Sequence, residues 1–234
     1  MGKALNPSPA QPPGRPAAAR DMVCGVLRRG IVTGAIPGGT RLVQSAVAAE
    51  LAVSTGPVHD ALRELAAGGF VRFGADGVAV VHQLGQAELT EVFEIRKMLE
   101  PMAVARTARY GSRDAILQAA GLLDAMDHET DGTRWSEHND RFHSVLSDAV
   151  SSPRLVAILA NLRDLTSLYV THSITAEPGR VRYGSAEHEE ILRAVVARDP
   201  EAAAIATFRH LDGRLAALLE VRQVGDRRYR PAAG

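Results

Sequence analysis

The sequence predicts a mostly α-helical protein, in which an N-terminal unit of three helices and a hairpin precedes an all-helical bundle. Apolar residues recur at helical spacing through most of the chain. One short β-rich stretch, "FVRFGADGVAVV", surrounds the turn signal Ala75-Asp76-Gly77. The aromatic content is only 4%, and the abundant Ala, Leu and Arg favour helices.

Composition excludes several classes of protein. The chain has 234 residues, 46% of them hydrophobic, which suffices for one large domain or two modest ones. It has no apolar run near the ~20 residues needed to span a bilayer, and its N-terminus lacks a secretory signal. The single cysteine, Cys24, excludes an internal disulfide framework and favours a cytoplasmic location. Since the net charge is zero, a nucleic-acid function must rest on local motifs.

The N-terminal part is predicted to be a DNA-binding unit. Residues 1–16 are rich in proline and predict a disordered arm. Helices are predicted at 17–33, 45–51 and about 57–67. The third has Ser54 or Thr55 as its N-cap and Pro57 at or near its first helical position. Three helices and then a hairpin, with a tight turn between helices two and three, is the winged helix-turn-helix order. This domain is predicted to span 17–82, followed by a linker at 83–86.

The remainder of the chain shows only the helical period. Six helices are predicted at about 87–109, 113–128, 133–150, 153–172, 182–198 and 200–223. Gly and Pro punctuate them, and no strand signal interrupts them. We therefore expect an all-α antiparallel bundle over 87–225 and a C-terminal tail at 226–234.

Several segments, in this order and spacing, resemble a known family. They are "LRRGIVTGAIPGGTRL", "VAAELAVSTGPVHDALRELAAGGFV", "EVFEIRKMLEPMAVARTA", "NDRFHSVLSDAVSSPRL", "EHEEILRAVVARDPEAA" and "FRHLDGRL". Over roughly residues 18–223 the chain resembles GntR-family bacterial transcriptional regulators of the FadR subfamily, which carry an effector-binding domain of the FCD type. The six-helix count is similar to the VanR-like group. The resemblance implies a ligand-responsive homodimer that binds a pseudo-palindromic DNA operator.

The recognition segment departs from the family pattern. That pattern reads Ser-Arg-Thr-Pro-Val-Arg-Glu-Ala-Leu, so Thr55 and His59 replace two arginines here. Arginine reads guanine edges best, because its planar fork pairs bidentately. The resemblance implies DNA contacts from Arg41, Ser54, Thr55, Gly56, His59 and Arg63, with Arg41 on the phosphate backbone. Two alternatives remain: Thr55, Gly56 and His59 are solvent-facing cap residues, or the protein is a sensor that has lost tight DNA binding.

A metal site is predicted in the bundle. Asn139 and His143 are four residues apart, so they share one face of a helix. The resemblance implies that Asn139, His143, His188 and His210 hold a divalent ion. Three imidazoles and one oxygen suit Zn²⁺ or Ni²⁺. Asp140 ranks behind Asn139, because the next residue on a helix points about 100° away. The alternative is that each histidine is an ordinary core or surface residue.

The resemblance also implies an effector site. It places Arg96 near the ligand cavity, where it would pair with a small carboxylate. His172 has no matched position in the family, and its place at a helix end makes it a further candidate for lining this pocket. Arg96 has a second interpretation, an intrahelical pair with Glu100, and the two are compatible. A metal held by three histidines could instead activate water in an enzyme. We expect no enzyme and no catalytic residues, because the sequence offers no persuasive general base and carries a winged helix.

Overall fold

The computed structural model describes residues 15–148, 152–176 and 180–228, and side chains at 17–148, 152–171 and 186–220. Two compact units meet in sequence between Gln83 and Leu84. Most of the predicted arm lies outside the described residues, and its last two residues already belong to the first helix. Within the described part of the chain, no helix is long and apolar enough to cross a membrane.

The N-terminal unit has the predicted three helices and hairpin, with one additional strand. Its elements are α1 (Arg15–Val32), β1 (Arg41–Leu42), α2 (Gln44–Glu50), α3 (Thr55–Ala67), β2 (Val71–Phe73) and β3 (Ala79–Val81). The strands form an antiparallel sheet in the order β1-β3-β2. The sequence pattern did not indicate β1, because a two-residue strand is too short to show alternation.

Helix α3 has one buried and one exposed face. Val58, Ala61, Leu62 and Leu65 are at most 1% exposed, as their helical spacing predicts. Ser54 is the N-cap residue, although its side chain makes no capping hydrogen bond. Just before it, Ala52 adopts a left-handed conformation with φ 53° in the turn that joins α2 to α3. The turn directs the polar face of α3 towards solvent.

The C-terminal unit contains the six predicted helices over its described residues. They are α4 (Gln86–Tyr110), α5 (Arg113–His128), α6 (Gly132–Asp148), α7 (Pro153–Ala176), α8 (Arg180–Val196) and α9 (Pro200–Arg228). The predicted and observed ends differ by a few residues, and α9 continues three residues into the predicted tail. Helix α4 packs along α9, and α6 packs against both α5 and α7.

The core of this bundle is built around α6. Trp135, Phe142 and Leu146 on its inner face are at most 1% exposed and pack in one cluster with residues of α4, α8 and α9. The same face therefore carries Asn139 and His143 into the interior.

The turn between α8 and α9 closes the end of α4. Arg198 has a positive φ of 58°. Its Nη1 donates hydrogen bonds to the carbonyl oxygens of Ala108 (3.3 Å) and Gly111 (2.8 Å). Carbonyls at a helix C-terminus lack intrahelical donors, so this guanidinium caps α4.

Candidate metal centre and nucleic-acid interface

Three histidines from three helices meet inside the bundle. His143, His188 and His210 lie on α6, α8 and α9, and each is at most 4% exposed. One ring nitrogen from each lies within 4.8 Å of the other two. The Nε2 atoms of His143 and His188 are 3.2 Å apart. This spacing matches two ligands of a tetrahedral zinc ion, whose nitrogens lie about 3.3 Å apart, and also permits a direct hydrogen bond.

Asn139 supplies an oxygen one turn before His143. Its Oδ1 is buried and has no hydrogen-bond partner among the described residues, whereas its Nδ2 donates to Oδ1 of Asp140 at 3.3 Å. A buried acceptor without a donor is costly, and a cation would satisfy it. The donor set therefore fits a divalent ion, which three imidazoles and one amide oxygen would hold.

Glu187 orients one of the histidines. Its Oε2 lies 2.8 Å from Nδ1 of His210, so the carboxylate accepts a hydrogen bond from Nδ1 and leaves the lone pair of Nε2 free to bind a metal ion. Carboxylates behind ligating histidines commonly fix the tautomer in this way. The sequence placed Glu187 beside His188, but its actual contact is His210, a pairing that depends on how α8 and α9 pack.

His143 and His210 are held in the neutral form that a metal ion requires. Burial, followed by the neighbouring imidazoles, holds the pKa of His143 well below its usual range. Burial and then the Arg214 guanidinium do the same for the pKa of His210. Neutral imidazole offers a free lone pair, so protons compete weakly with a metal at neutral pH.

A narrow cavity adjoins the histidines. It holds a space about the size of one water molecule. The residues that line it come from α4, α6, α7 and α9: Arg96, Asn139, Asp140, His143, Arg163, Thr166, Ser167, Val170, His210, Leu211 and Arg214. Burial raises the pKa of Asp140, whose Oδ2 accepts a 2.7 Å hydrogen bond from Ser167. Asp140 thus lies at the cavity but does not join the histidine cluster.

Arg96 occupies both places that the sequence suggested. Its Nε donates to Oε1 of Glu100 at 2.7 Å, and Nη1 donates to Oγ1 of Thr166 at 2.8 Å. It also lines the cavity. The side chain of His172 lies outside the described residues. The sequence gave no indication of Arg163 and Arg214, which line the same cavity, because arginine in an amphipathic helix usually faces solvent.

The exposed face of α3 carries the predicted DNA-contacting residues. Ser54, Thr55 and Gly56 lie at its N-terminus, and His59 and Arg63 follow one and two turns later, all exposed. Gly56 has open space where a Cβ would lie, so the fold itself does not require glycine there. The Nδ1 atom of His59 is 3.3 Å from Oδ1 of Asp60, a contact that leaves the ring exposed.

A cleft separates this helix from the hairpin. His59, Arg63 and Ala66 line one side, Phe73 and Gly77 of the hairpin line another, and Gln44 of α2 completes it. The sequence pattern did not indicate Gln44 or Phe73 as cleft residues. An exposed aromatic residue in a predicted strand was the available signal, since Phe73 retains 40% of its accessible surface.

Arg41 is held by the hairpin turn. Its Nη2 donates to Oδ2 of Asp76 at 2.6 Å, and this guanidinium holds the pKa of Asp76 below its usual range. Both side chains are half exposed, so the pair is weak in water. A phosphate contact by Arg41 would therefore exchange one anionic partner for another.

Comparison with known proteins agrees with both units. Residues 19–80 match the description "Bacterial regulatory proteins, gntR family", and residues 91–213 match the FCD domain. The gluconate operon transcriptional repressor of Bacillus licheniformis is 26% identical over 74% of this chain and 74% of its own.

Solved structures agree on the fold. "E. coli McbR/YncC" has a TM-score of 0.77 at 22% identity, covering 87% of this chain and 98% of that one. A putative GntR regulator from Rhodococcus sp. RHA1 has a TM-score of 0.74 at 24% identity, with the same coverage. These families comprise regulators, so the metalloenzyme hypothesis is excluded. The chain belongs to the GntR family of bacterial regulatory proteins and is a DNA-binding transcriptional regulator with an FCD effector domain.

Proposed function

We propose that this regulator binds a divalent transition metal in its C-terminal unit and senses a small organic acid there. The observation that carries the proposal is the buried group of His143, His188 and His210 around the orphaned oxygen of Asn139. Zn²⁺ or Ni²⁺ is the ion that these donors suit best. When bound, the ion would supply a positive charge and an open coordination position for a carboxylate oxygen.

The cavity beside the histidines is suited to an anion. Arg96, Arg163 and Arg214 bring three guanidinium groups to it, against the one carboxylate of Asp140 in its lining. The hydroxyl protons of Thr166 and Ser167 are donated within the protein, so their oxygen atoms are left to accept a hydrogen bond from a hydroxy acid. The name of the relative from B. licheniformis, a gluconate operon repressor, points to the same chemistry.

The cavity is too small for an organic acid, so binding of such an acid would change how the surrounding helices pack. An organic acid larger than one water molecule needs α4, α6, α7 and α9 to move apart. A ligand that binds the expanded bundle more tightly than the closed one shifts the population between them. Regulation follows if the two forms differ in DNA affinity.

The protein acts as a homodimer on a pseudo-palindromic operator in this proposal. Met98 and Met102 lie one turn apart on α4, and Ile205 and Phe208 lie one turn apart on the adjoining α9, each at least 45% exposed. The aromatic ring of Phe208 lies 5.5 Å from Nζ of Lys97 on α4, so the two helices present neighbouring apolar residues. Exposed apolar faces of this kind mark protein interfaces, and a second copy is the partner that two-fold operators require.

Each half-site would be read by one α3 helix in the major groove. Thr55, His59 and Arg63 lie on its exposed face, and Arg41 lies near the hairpin. The second candidate function, a sensor with weak or lost specific DNA binding, rests on the charge of α3. Its arginine, Arg63, is accompanied by the exposed acids Asp60 and Glu64. Selection from random duplexes, with and without small carboxylates, decides between them: no enriched sequence in either condition would favour the weak binder.

The metal site is tested with the single tryptophan of the chain. The ring of Trp135 lies 6.0 Å from that of His188, so bound Ni²⁺ should quench its fluorescence. We expect about one ion per chain by elemental analysis, and its loss in His143→Ala and His188→Ala. His128→Ala is the matched control, because His128 is 79% exposed. Equal metal content in all four proteins would refute the site.

The dimer is tested by light scattering at micromolar concentration. Phe208→Glu places a charge on the proposed interface and should shift the mass from a dimer towards the 24.9 kDa monomer. Leu117→Glu is the control, since Leu117 is also exposed but lies on α5. A wild-type mass near that of the monomer would contradict the homodimer.

A further inference from the structure

Arg163 is a buried cation whose hydrogen bonds are incomplete. It lies on α7, retains 4% of its accessible surface and lines the cavity beside the histidines. Its Nη1 donates to Oγ of Ser147 at 3.1 Å. Its Nη2 is also buried and has no hydrogen-bond partner in the part of the chain that the structure describes.

The surrounding residues do not satisfy that nitrogen. Oδ1 of Asp148 is 3.7 Å from Nη2, beyond hydrogen-bond distance, and the Asp148 side chain is 41% exposed. The hydroxyl of Ser147 is already engaged twice, since it accepts from Arg163 and donates to the carbonyl oxygen of His143 at 2.8 Å. A buried guanidinium N–H without an acceptor is costly, so an oxygen atom of a ligand that reaches Nη2 would be stabilised there.

Two orphaned atoms of opposite kind therefore belong to the same cavity. Among the described residues, Oδ1 of Asn139 has no donor and Nη2 of Arg163 has no acceptor, and both residues line the cavity. Helix α6 spaces the residues that hold the two anchors, since Asn139, His143 and Ser147 lie four residues apart on one face. Ser147, which holds Arg163, thus lies roughly 6 Å further along the helix than His143. A chain of roughly three to four carbons has that reach.

We propose that Arg163 is a second anchor of the effector site and that the effector is a short dicarboxylate, bound between the metal centre and Arg163. This inference rests on the proposed function, because the metal centre is the first anchor. One carboxylate would approach the ion held by Asn139 and the histidines, and the second would accept from the guanidinium of Arg163.

The test compares acids matched in carbon number on the full-length, metal-loaded protein. Malonate is paired with propionate and succinate with butyrate, and binding is measured by calorimetry and by Trp135 fluorescence after free metal has been removed. We expect a Kd at least about tenfold lower for the diacid in each pair. Arg163→Gln should weaken diacid binding about 10- to 100-fold and leave the monoacids and the metal content nearly unchanged.

Two further variants keep the test decisive. Arg163→Lys retains the charge without the planar fork, so it should fold even if Arg163→Gln does not, and it should reduce the diacid preference. Arg209→Gln is the matched control, because the Arg209 side chain is 71% exposed on α9, and it should change nothing. A uniform loss for monoacids and diacids, or no loss in either Arg163 variant, would assign Arg163 to structure alone. No binding of any carboxylate by metal-loaded wild type would instead refute the proposed organic-acid sensing, and the second anchor with it.

Discussion

The two units place their candidate functional side chains in opposite surroundings. In the N-terminal unit, His59 and Arg63 are exposed on α3, where water solvates them until DNA arrives. In the C-terminal unit, His143, His188 and Arg163 are buried inside the helical bundle, where water cannot solvate them freely. An exposed site can therefore change without loss of fold stability, whereas a change in the buried site affects both binding and folding.

Of the changes considered, removal of the proposed metal ion should have the largest effect on thermal stability, and this effect should depend on the buried histidines. Metal at 1,000 times its Kd should stabilise the protein by about 4 kcal/mol. For the C-terminal unit this raises the unfolding midpoint by roughly 8 to 16 °C. Thermal unfolding followed by Trp135 fluorescence, with and without EDTA, measures the shift. EDTA should not change the unfolding midpoint of His188→Ala. If EDTA lowered that midpoint as much as it does in wild type, the buried histidines would not be the metal site.

If Arg63 reads a base, Arg63→Ala should weaken the free energy of DNA binding by about 1–3 kcal/mol and relax the sequence preference at one base position. Its exposure means that the free energy of unfolding should change by less than about 0.5 kcal/mol. Duplex titration and thermal unfolding measure the two quantities, with Arg209→Ala as the control. Equal weakening of binding to all DNA sequences would show that Arg63 contacts the phosphate backbone. A large loss of unfolding free energy would contradict the expectation that exposed residues contribute little to stability.

Arg198→Ala should lower the free energy of unfolding by about 1–2 kcal/mol, because it removes the cap on the last carbonyls of α4. Arg198→Gly should lower the free energy of unfolding by about 1 kcal/mol less than Arg198→Ala does, since glycine tolerates the positive φ. Arg193→Ala, on an exposed side chain of α8, serves as the control. Chemical denaturation checks all three, and equal losses in the alanine and glycine variants would show that φ carries no cost.

His59 should give the smallest effect. If its imidazolium contacts phosphate or a guanine N7, DNA binding should tighten up to about fivefold between pH 8 and pH 6, as one exposed ion pair allows. Duplex titration across that range should show the trend in wild type and a flat profile in His59→Ala. His128→Ala should retain the trend, because His128 lies in the other unit. If the pH dependence of DNA binding were the same in His59→Ala as in wild type, the His59 imidazolium would not contact DNA.

The helices were predictable because the period of their apolar residues is long enough to detect. The face shared by Asn139 and His143 followed from the same period, since both lie on α6. His188 and His210 were predicted to be metal ligands only from the family resemblance, because sequence spacing does not say which helices pack together. Arg163 and Glu187 were missed for that reason: their roles arise from contacts between α6 and α7 and between α8 and α9.

The left-handed Ala52 has an evolutionary consequence. A residue with a side chain in this conformation costs about 1 kcal/mol relative to glycine, so a single substitution to glycine would raise the stability of the N-terminal unit. A protein with stability in reserve tolerates more changes before it falls below the threshold for folding. Ala52 lies just before α3, so Ala52→Gly would let the exposed face of this helix accept more substitutions before the N-terminal unit fails to fold.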